Sequence, residues 1–410
     1  MIEKFKVGDI EVYKADVDFV ESTSIAFVVR VGSAHESENE LGASHFIEHV
    51  SFRGTNRYTM RELKLAVEKV GGMLNAFTSR LSTVYYAKVP NFKSKETFDI
   101  LQSIVSEPLI DEKAVELERK IIMEEYKMSL EDPDDRLHNL VLKNVWGGPY
   151  GREIIGTEET IKSLTAKDLK SYHDSKYVSS RVKVAVVGDT KEVEKVIKEL
   201  EKFPRDGDIE DPPEPQFKRN EKAMYHEMKS LKHIHAFLVK EGAGKKSEDY
   251  IKYLIMNTML GSGMSSYLFE EIREKLGTVY DIGSTALFLK EKGIFGLYFS
   301  TSPEFFDKTL NAVVDVMKNF KVEEYMDYGI QRSLGKMILS LESPAGVLGY
   351  IVDRLSSGCE VKEPSEVEKE IKSVTLNELK DLYNEKFTGE WQLFTVVPER
   401  VKVEIKNVEI

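Results

Sequence analysis

The sequence predicts an α+β protein of two homologous α/β sandwich domains, each a mostly antiparallel sheet with helices packed on it, related by internal duplication. Three observations carry this. Strand-like runs recur in hairpin pairs and are followed by long helical stretches, rather than alternating in βαβ units. A proline-rich acidic segment, RDGDIEDPPEPQF at 205–217, divides the 410 residues into two nearly equal parts. The two parts resemble each other, because an offset of 210 aligns Ala26 with Ala236, Phe27 with Phe237, Val29 with Val239 and Gly32 with Gly242. The domains are therefore drawn as 1–204 and 218–410, joined by a linker at 205–217.

The elements follow in the same order in each half. In the first, 24–33 is β-rich and leads to a helical stretch at 41–52. A helix at 60–70 then passes through glycine to strands at 72–78 and 83–89, with a long helix at 113–130. In the second half the strand is 233–244 and the helical stretches are 249–260 and 265–276. Strands at 279–287 and 293–300 and a helix at 303–320 complete it.

Composition narrows the function classes. Apolar residues at 41% and charged residues at 31% are the balance of an ordinary globular protein. A net charge of -12 argues against a nucleic-acid partner, which needs clustered Lys and Arg, and could attract basic ligands. The single cysteine, Cys359, excludes an intrachain disulfide and a Cys-built zinc site, so any metal must be held by His and carboxylates. The chain opens without an apolar leader, and no apolar run approaches the length of a membrane span. The expectation is a soluble, cytoplasmic protein without a membrane partner.

The chemistry-bearing pattern is His45-Phe46-Ile47-Glu48-His49. Histidines four apart on a helix project from one face and can share one zinc ion, and Glu48 lies beside them as a base for water. The order H-x-x-E-H is a metallopeptidase signature, whereas the bland alternative is a helix with two chance histidines. A catalytic zinc usually takes a third protein ligand. The helical run 116–125 offers Glu118 and Glu125, seven apart on one face, with Glu116 and Glu124 elsewhere and solvated; periodicity alone does not choose among them. His233 and His235, alternating along a strand with no third ligand nearby in sequence, read as ordinary strand residues.

The pattern from His45 to His49, with Glu125 following 76 residues after His49 and Glu118 seven before Glu125, resembles the pitrilysin, or insulinase, family of zinc peptidases. Further runs are similar to family landmarks: Gly71-Gly72-Met73-Leu74-Asn75-Ala76-Phe77-Thr78-Ser79, Gly156-Thr157-Glu158-Glu159, Val187-Gly188-Asp189, and 268–280 with its Arg273 and Tyr280. Val50-Ser51 after the second histidine and Tyr267 after the paired serines depart from the common pattern without touching the ligands. The resemblance covers nearly the whole chain and implies one Zn2+ per chain, held by His45, His49 and Glu125. Glu48 would be the general base, Glu118 a carboxylate behind the ligands, and Asn75 and Ala76 part of an edge strand that binds the substrate backbone. Arg273 and Tyr280 would grip the substrate from the second domain, in the family's manner at the metal site of another subunit. At the 210 offset, Ile255, Thr258 and Met259 replace the motif, so the second domain is expected to be metal-free. The length resembles the short branch, in which two chains enclose a chamber. It implies a homodimeric zinc endopeptidase acting on peptides, with a heterodimer containing a metal-free homologue, or a non-catalytic scaffold subunit, as the alternatives.

Overall fold

The run STSIAFVV at 22–29 is apolar almost throughout, as a strand covered on both faces must be. The structure, a computed structural model, describes every residue except 205, 206, 208, 400 and 402–404. In it this run lies inside a six-stranded sheet built from β1 (Glu3–Val7), β2 (Ile10–Asp16), β3 (Ser22–Val29), β4 (Met73–Thr78), β5 (Thr83–Pro90) and β6 (Val182–Gly188). The order is β1-β2-β6-β3-β5-β4, antiparallel except for the parallel pair β2 and β6. Ile25, Phe27 and Val29 face a core that holds Phe46, Ile47 and Val50 of α1 (Ala43–Ser51). The same core takes in Leu63 of α2 (Met60–Glu68), Phe98 and Leu101 of α3 (Ser94–Ser106) and Ile122 of α4 (Glu112–Glu131).

The second sheet repeats this plan. Its strands are β7 (Met224–Met228), β8 (Ile234–Ala243), β9 (Asp281–Phe288), β10 (Lys292–Thr301), β11 (Glu390–Pro398) and β12 (Val408–Glu409). The path β7-β11-β8-β10-β9 matches β2-β6-β3-β5-β4 strand for strand, and the parallel pair β7 with β11 stands where β2 with β6 stood. The offset of 210 seen in short stretches therefore carries through the topology. Aromatic packing fills this core: Phe295 lies 4.8 Å from Phe387 and 6.3 Å from Trp391 between ring centroids.

The compact units differ from the stretches 1–204 and 218–410. One unit comprises Met1–Lys127, Arg152–Pro213 and Leu339–Glu363; the other comprises Met128–Gly151, Glu214–Ile338 and Pro364–Ile410. The exchanged segments are helices. Ala26, Val28, Val84, Ala185 and Val187, on the second face of the first sheet, pack on Leu348, Ile351, Val352 and Leu355 of the helix Pro344–Ser356. In the other unit α5 (Pro133–Val145) packs on β7, β8 and β11. These two helices are equivalent at the same offset, so each half donates the corresponding helix to the other sheet. Periodicity shows that a helix has an apolar face, but not which sheet that face will meet. Of the linker, 205, 206 and 208 lie outside the described residues, and 209–220 carry neither helix nor strand. No helix among the described residues is long and apolar enough to cross a membrane.

Because Ile351 is fully buried against the first sheet, Ile351→Ala is expected to destabilise that unit by about 2–5 kcal/mol. Urea denaturation with hydrogen exchange checks this. Faster exchange should appear in β3 and β6, and unchanged exchange there would contradict the packing.

Candidate metal centre

Helix α1 starts at Gly42, whose φ of 87° is left-handed and open to glycine at little cost. A Cβ on Gly42 would meet Ile155 O at 2.5 Å, and one on Gly156 (φ 88°) would meet Leu41 O at 2.6 Å. The start of α1 and the 155–157 segment thus lie backbone to backbone, which gives the Gly156-Thr157 run a physical role. Phe46, Ile47 and Val50 are buried in the core, whereas His45, Glu48 and His49, spaced i, i+3 and i+4, share the opposite, partly exposed face.

Helix α4 supplies the carboxylates. His49 Nε2 lies 3.4 Å and His45 Nε2 3.8 Å from Glu125 Oε2. Ligand atoms of His45, His49 and Glu125 all fall within 4.8 Å of one another, and no other such group of three occurs among the described residues. Glu118, seven positions before Glu125, points inward, with Oε2 at 3.0 Å from His49 Nδ1 and Oε1 paired with Arg53. Glu124 points away and pairs with Lys127 at 2.6 Å. Arg119 holds the register of α4: its guanidinium bonds Ile161 O and Leu164 O and lies 5.5 Å from the centre of the Phe46 ring of α1.

The electrostatics fit a divalent cation. Burial, and then the neighbouring His49, lower the His45 pKa to about 3, so this imidazole is neutral and offers a lone pair. Its Nδ1 is buried without a hydrogen-bond partner among the described residues. Burial also pulls His49 down, but the Glu118 hydrogen bond and the charges of Glu125 and Glu48 outweigh it and raise its pKa. Burial opposes ionisation of Glu118, yet its bonds to His49 and Arg53 prevail and hold it below its ordinary value. An ionised Glu118 accepts, so His49 Nδ1 carries a proton, and once the ring is neutral Nε2, on the side of Glu125, is the atom left to bind a metal. Glu48, Glu118 and Glu125 against the single guanidinium of Arg53 leave an excess of negative charge that a metal ion offsets. Two imidazoles and one carboxylate are a donor set characteristic of catalytic zinc.

Glu48 stands beside this group. Burial raises its pKa, as does Glu125, against the Thr78 hydrogen bond and the charge of His49. Thr78 Oγ1 donates to Glu48 Oε2 across 2.5 Å. Thr78 ends β4, which among the described residues pairs only with β5 and leaves its other edge open. Asn75 and Ala76 lie on this edge strand, and Asn75 Oδ1 accepts from Ala76 N at 2.9 Å.

The remaining predicted residues belong to the other unit. The segment 265–276, expected as an ordinary helix, is wound as a π-helix over Phe269–Leu276, with Gly277 N bonding Ile272 O at 3.0 Å. Arg273 sits on it, stacked 4.9 Å over Phe269 and 4.0 Å from Asp281 Oδ1. Tyr280 precedes β9 and is 77% exposed. Ile255 and Met259 are fully buried, and Thr258 bonds Leu254 O, so these positions are apolar helix packing. His235 Nδ1 meets Asp134 Oδ1 at 3.0 Å and Tyr298 OH at 2.9 Å, while His233 stacks on Tyr280.

Two family models match successive parts of the chain: "Insulinase (Peptidase family M16)" over residues 14–158 and "Peptidase M16 inactive domain" over residues 163–329. The chain belongs to the insulinase family, peptidase family M16. The family is one of zinc metallopeptidases. An uncharacterised zinc protease of Mycobacterium leprae is 31% identical over 316 residues, covering 76% of this chain and 71% of its own. The uncharacterised zinc protease YmxG of Bacillus subtilis is 28% identical over 388 residues, covering 92% and 94%. A crystal structure of a protease from Helicobacter pylori superposes with a TM-score of 0.87 at 20% identity, covering 97% of this chain and 99% of that one. At that identity the likeness establishes the insulinase-type fold alone. His45, Glu48, His49 and Glu125 all fall within the first matched part.

Sequence reasoning on this insulinase-family chain missed Thr78 as a partner of Glu48, Arg53 as a partner of Glu118, and Arg119 as the clamp between α4 and α1. Thr78 stood within the matched 71–79 run, the one signal that could have found it. Glu125→Ala is expected to lose bound zinc on metal analysis; full occupancy would show that Glu125 is not a ligand. Glu118→Ala is expected to weaken zinc binding by about 10–100-fold in chelator competition, because it frees the His49 tautomer.

Proposed function

We propose that the chain is a zinc-dependent endopeptidase that hydrolyses unfolded peptides or processing segments inside a chamber formed by two copies. The observation that carries the reading is the convergence of His45, His49 and Glu125 ligand atoms within 4.8 Å, beside a buried Glu48 on the same helix face. His45, His49 and Glu125 would hold one zinc ion, which when bound would supply polarisation of the scissile carbonyl and a water acidic enough to attack near neutral pH.

The chain's own groups do the rest. Thr78 occupies Glu48 Oε2, leaving Oε1 to take the proton as water adds to the carbonyl carbon. The carbon–nitrogen bond then breaks, and Glu48 passes the proton to the departing amine. Its raised pKa suits a group that must both accept and release a proton. The open edge of β4, with Asn75 and Ala76, pairs with an extended peptide through main-chain bonds, which favours unfolded segments over any one sequence. Arg273 and Tyr280 donate to substrate carbonyls, supplied by the second copy of a cytoplasmic homodimer.

A non-catalytic role draws support from the words "inactive domain", but they describe the match to 163–329, where Ile255, Thr258 and Met259 replace the motif. The metal-binding residues lie outside it. A heterodimer with a metal-free homologue stands as the rival assembly.

Glu48→Gln is expected to retain zinc and lose nearly all cleavage of a quenched peptide; substantial turnover would remove the general-base role. Mixing a Glu48→Gln subunit with a Tyr280→Phe subunit tests the assembly. Activity returns if Tyr280 serves the other copy, and mixing rescues nothing if it serves its own chain.

A further inference from the structure

Glu36 lies in the loop leading into α1, and is only 4% exposed. A buried carboxylate is stable only where donors meet it. Its Oε2 accepts from Gly42 N and its Oε1 from Ser44 N, each at 2.8 Å. Gly42 begins α1 and has no side chain with which to cap it, so first-turn amides would otherwise lack acceptors. Glu36 supplies both from upstream, and its negative charge lies at the positive end of the helix dipole. Burial pushes its carboxyl up to about 7, while the amides of Ser44 and Gly42 and the charge of Arg152 pull the other way.

Glu36 is itself held. Its backbone oxygen accepts from Arg152 Nη1 at 2.5 Å, and Arg152 also pairs with Glu38. The Gly156 backbone presses on Gly42, and Ser44 Oγ lies 2.9 Å from Tyr172 OH. These contacts converge on the turn immediately before His45. The helix spans only nine residues, so fixing its first turn fixes the direction in which its later side chains leave.

We infer that Glu36 is a positioning residue for the metal centre: by binding the Gly42 and Ser44 amides it sets the rotation of α1 that turns His45 and His49 toward Glu125. Its consequence for turnover rests on the peptidase reading, whereas its consequence for zinc affinity does not. An ordinary helix cap would change stability alone, whereas a positioning residue also changes the metal and the chemical step.

The test compares the full-length wild type with Glu36→Ala and Glu36→Gln for zinc affinity against a chromophoric chelator, peptide kcat and KM, and melting temperature. Glu36→Ala is expected to lower zinc affinity by about 10–100-fold, and to lower kcat at saturating zinc with KM little changed. Glu36→Gln keeps one acceptor and is expected to fall between. Wild-type zinc affinity in Glu36→Ala, with only a lower melting temperature, overturns the inference. If Glu36→Ala does not fold, Glu36→Gln decides by the same measure, and wild-type affinity in it overturns the inference. A wild type that binds zinc without cleaving peptides defeats the peptidase reading, and the zinc titrations then still judge Glu36.

Discussion

His49 Nδ1 donates to Glu118 Oε2 across 3.0 Å, joining two helices that lie 69 positions apart in the chain. The candidate metal centre depends on this bond, because it sets α1 against α4 and leaves His49 Nε2 on the side of Glu125. Arg53 keeps Glu118 ionised, and Arg119 holds α4 in register against Phe46. Were α4 to slide by one turn, Glu125 would leave the histidines and Ile121 or Ser129, one turn away on the same face, would replace it. The site is therefore a product of helix packing as much as of the five-residue motif.

The duplicated fold shows what that packing can dispense with. Both units share five strands in the same order and the same parallel pair, and both use an equivalent helix after the first long strand. In the second unit that helix carries Ile255 and Met259, fully buried, where the first carries imidazoles. The scaffold thus does not require a metal. Each half also lends a helix to the other's sheet, so each compact unit needs both halves of the chain.

How much was legible follows from the range of each interaction. The hairpin strands and the H-x-x-E-H helix are local patterns, and β3, β4, β5, α1 and α2 form close to where periodicity puts them. Glu125 was not separable from Glu118 by periodicity, since both lie on one face of α4; the family resemblance favoured Glu125, which the structure sets beside both histidines. The exchange of the helices Pro133–Val145 and Pro344–Ser356 had no local signal, because an amphipathic helix does not name its partner. Thr78 beside Glu48 depends on a contact between residues 30 positions apart, which no short window of sequence encodes, whereas Glu36 lies only six and eight positions before the amides it binds but outside any capping pattern.

The most direct measurement is zinc-dependent cleavage by the purified chain. A quenched unfolded peptide is incubated with the protein before metal removal by a strong chelator, after removal, and after stoichiometric zinc is returned. The account predicts that cleavage disappears with the metal and returns in full at one zinc ion per chain. Cleavage that persists in the metal-free protein, or a chain that binds zinc at His45, His49 and Glu125 and cuts nothing, would contradict it.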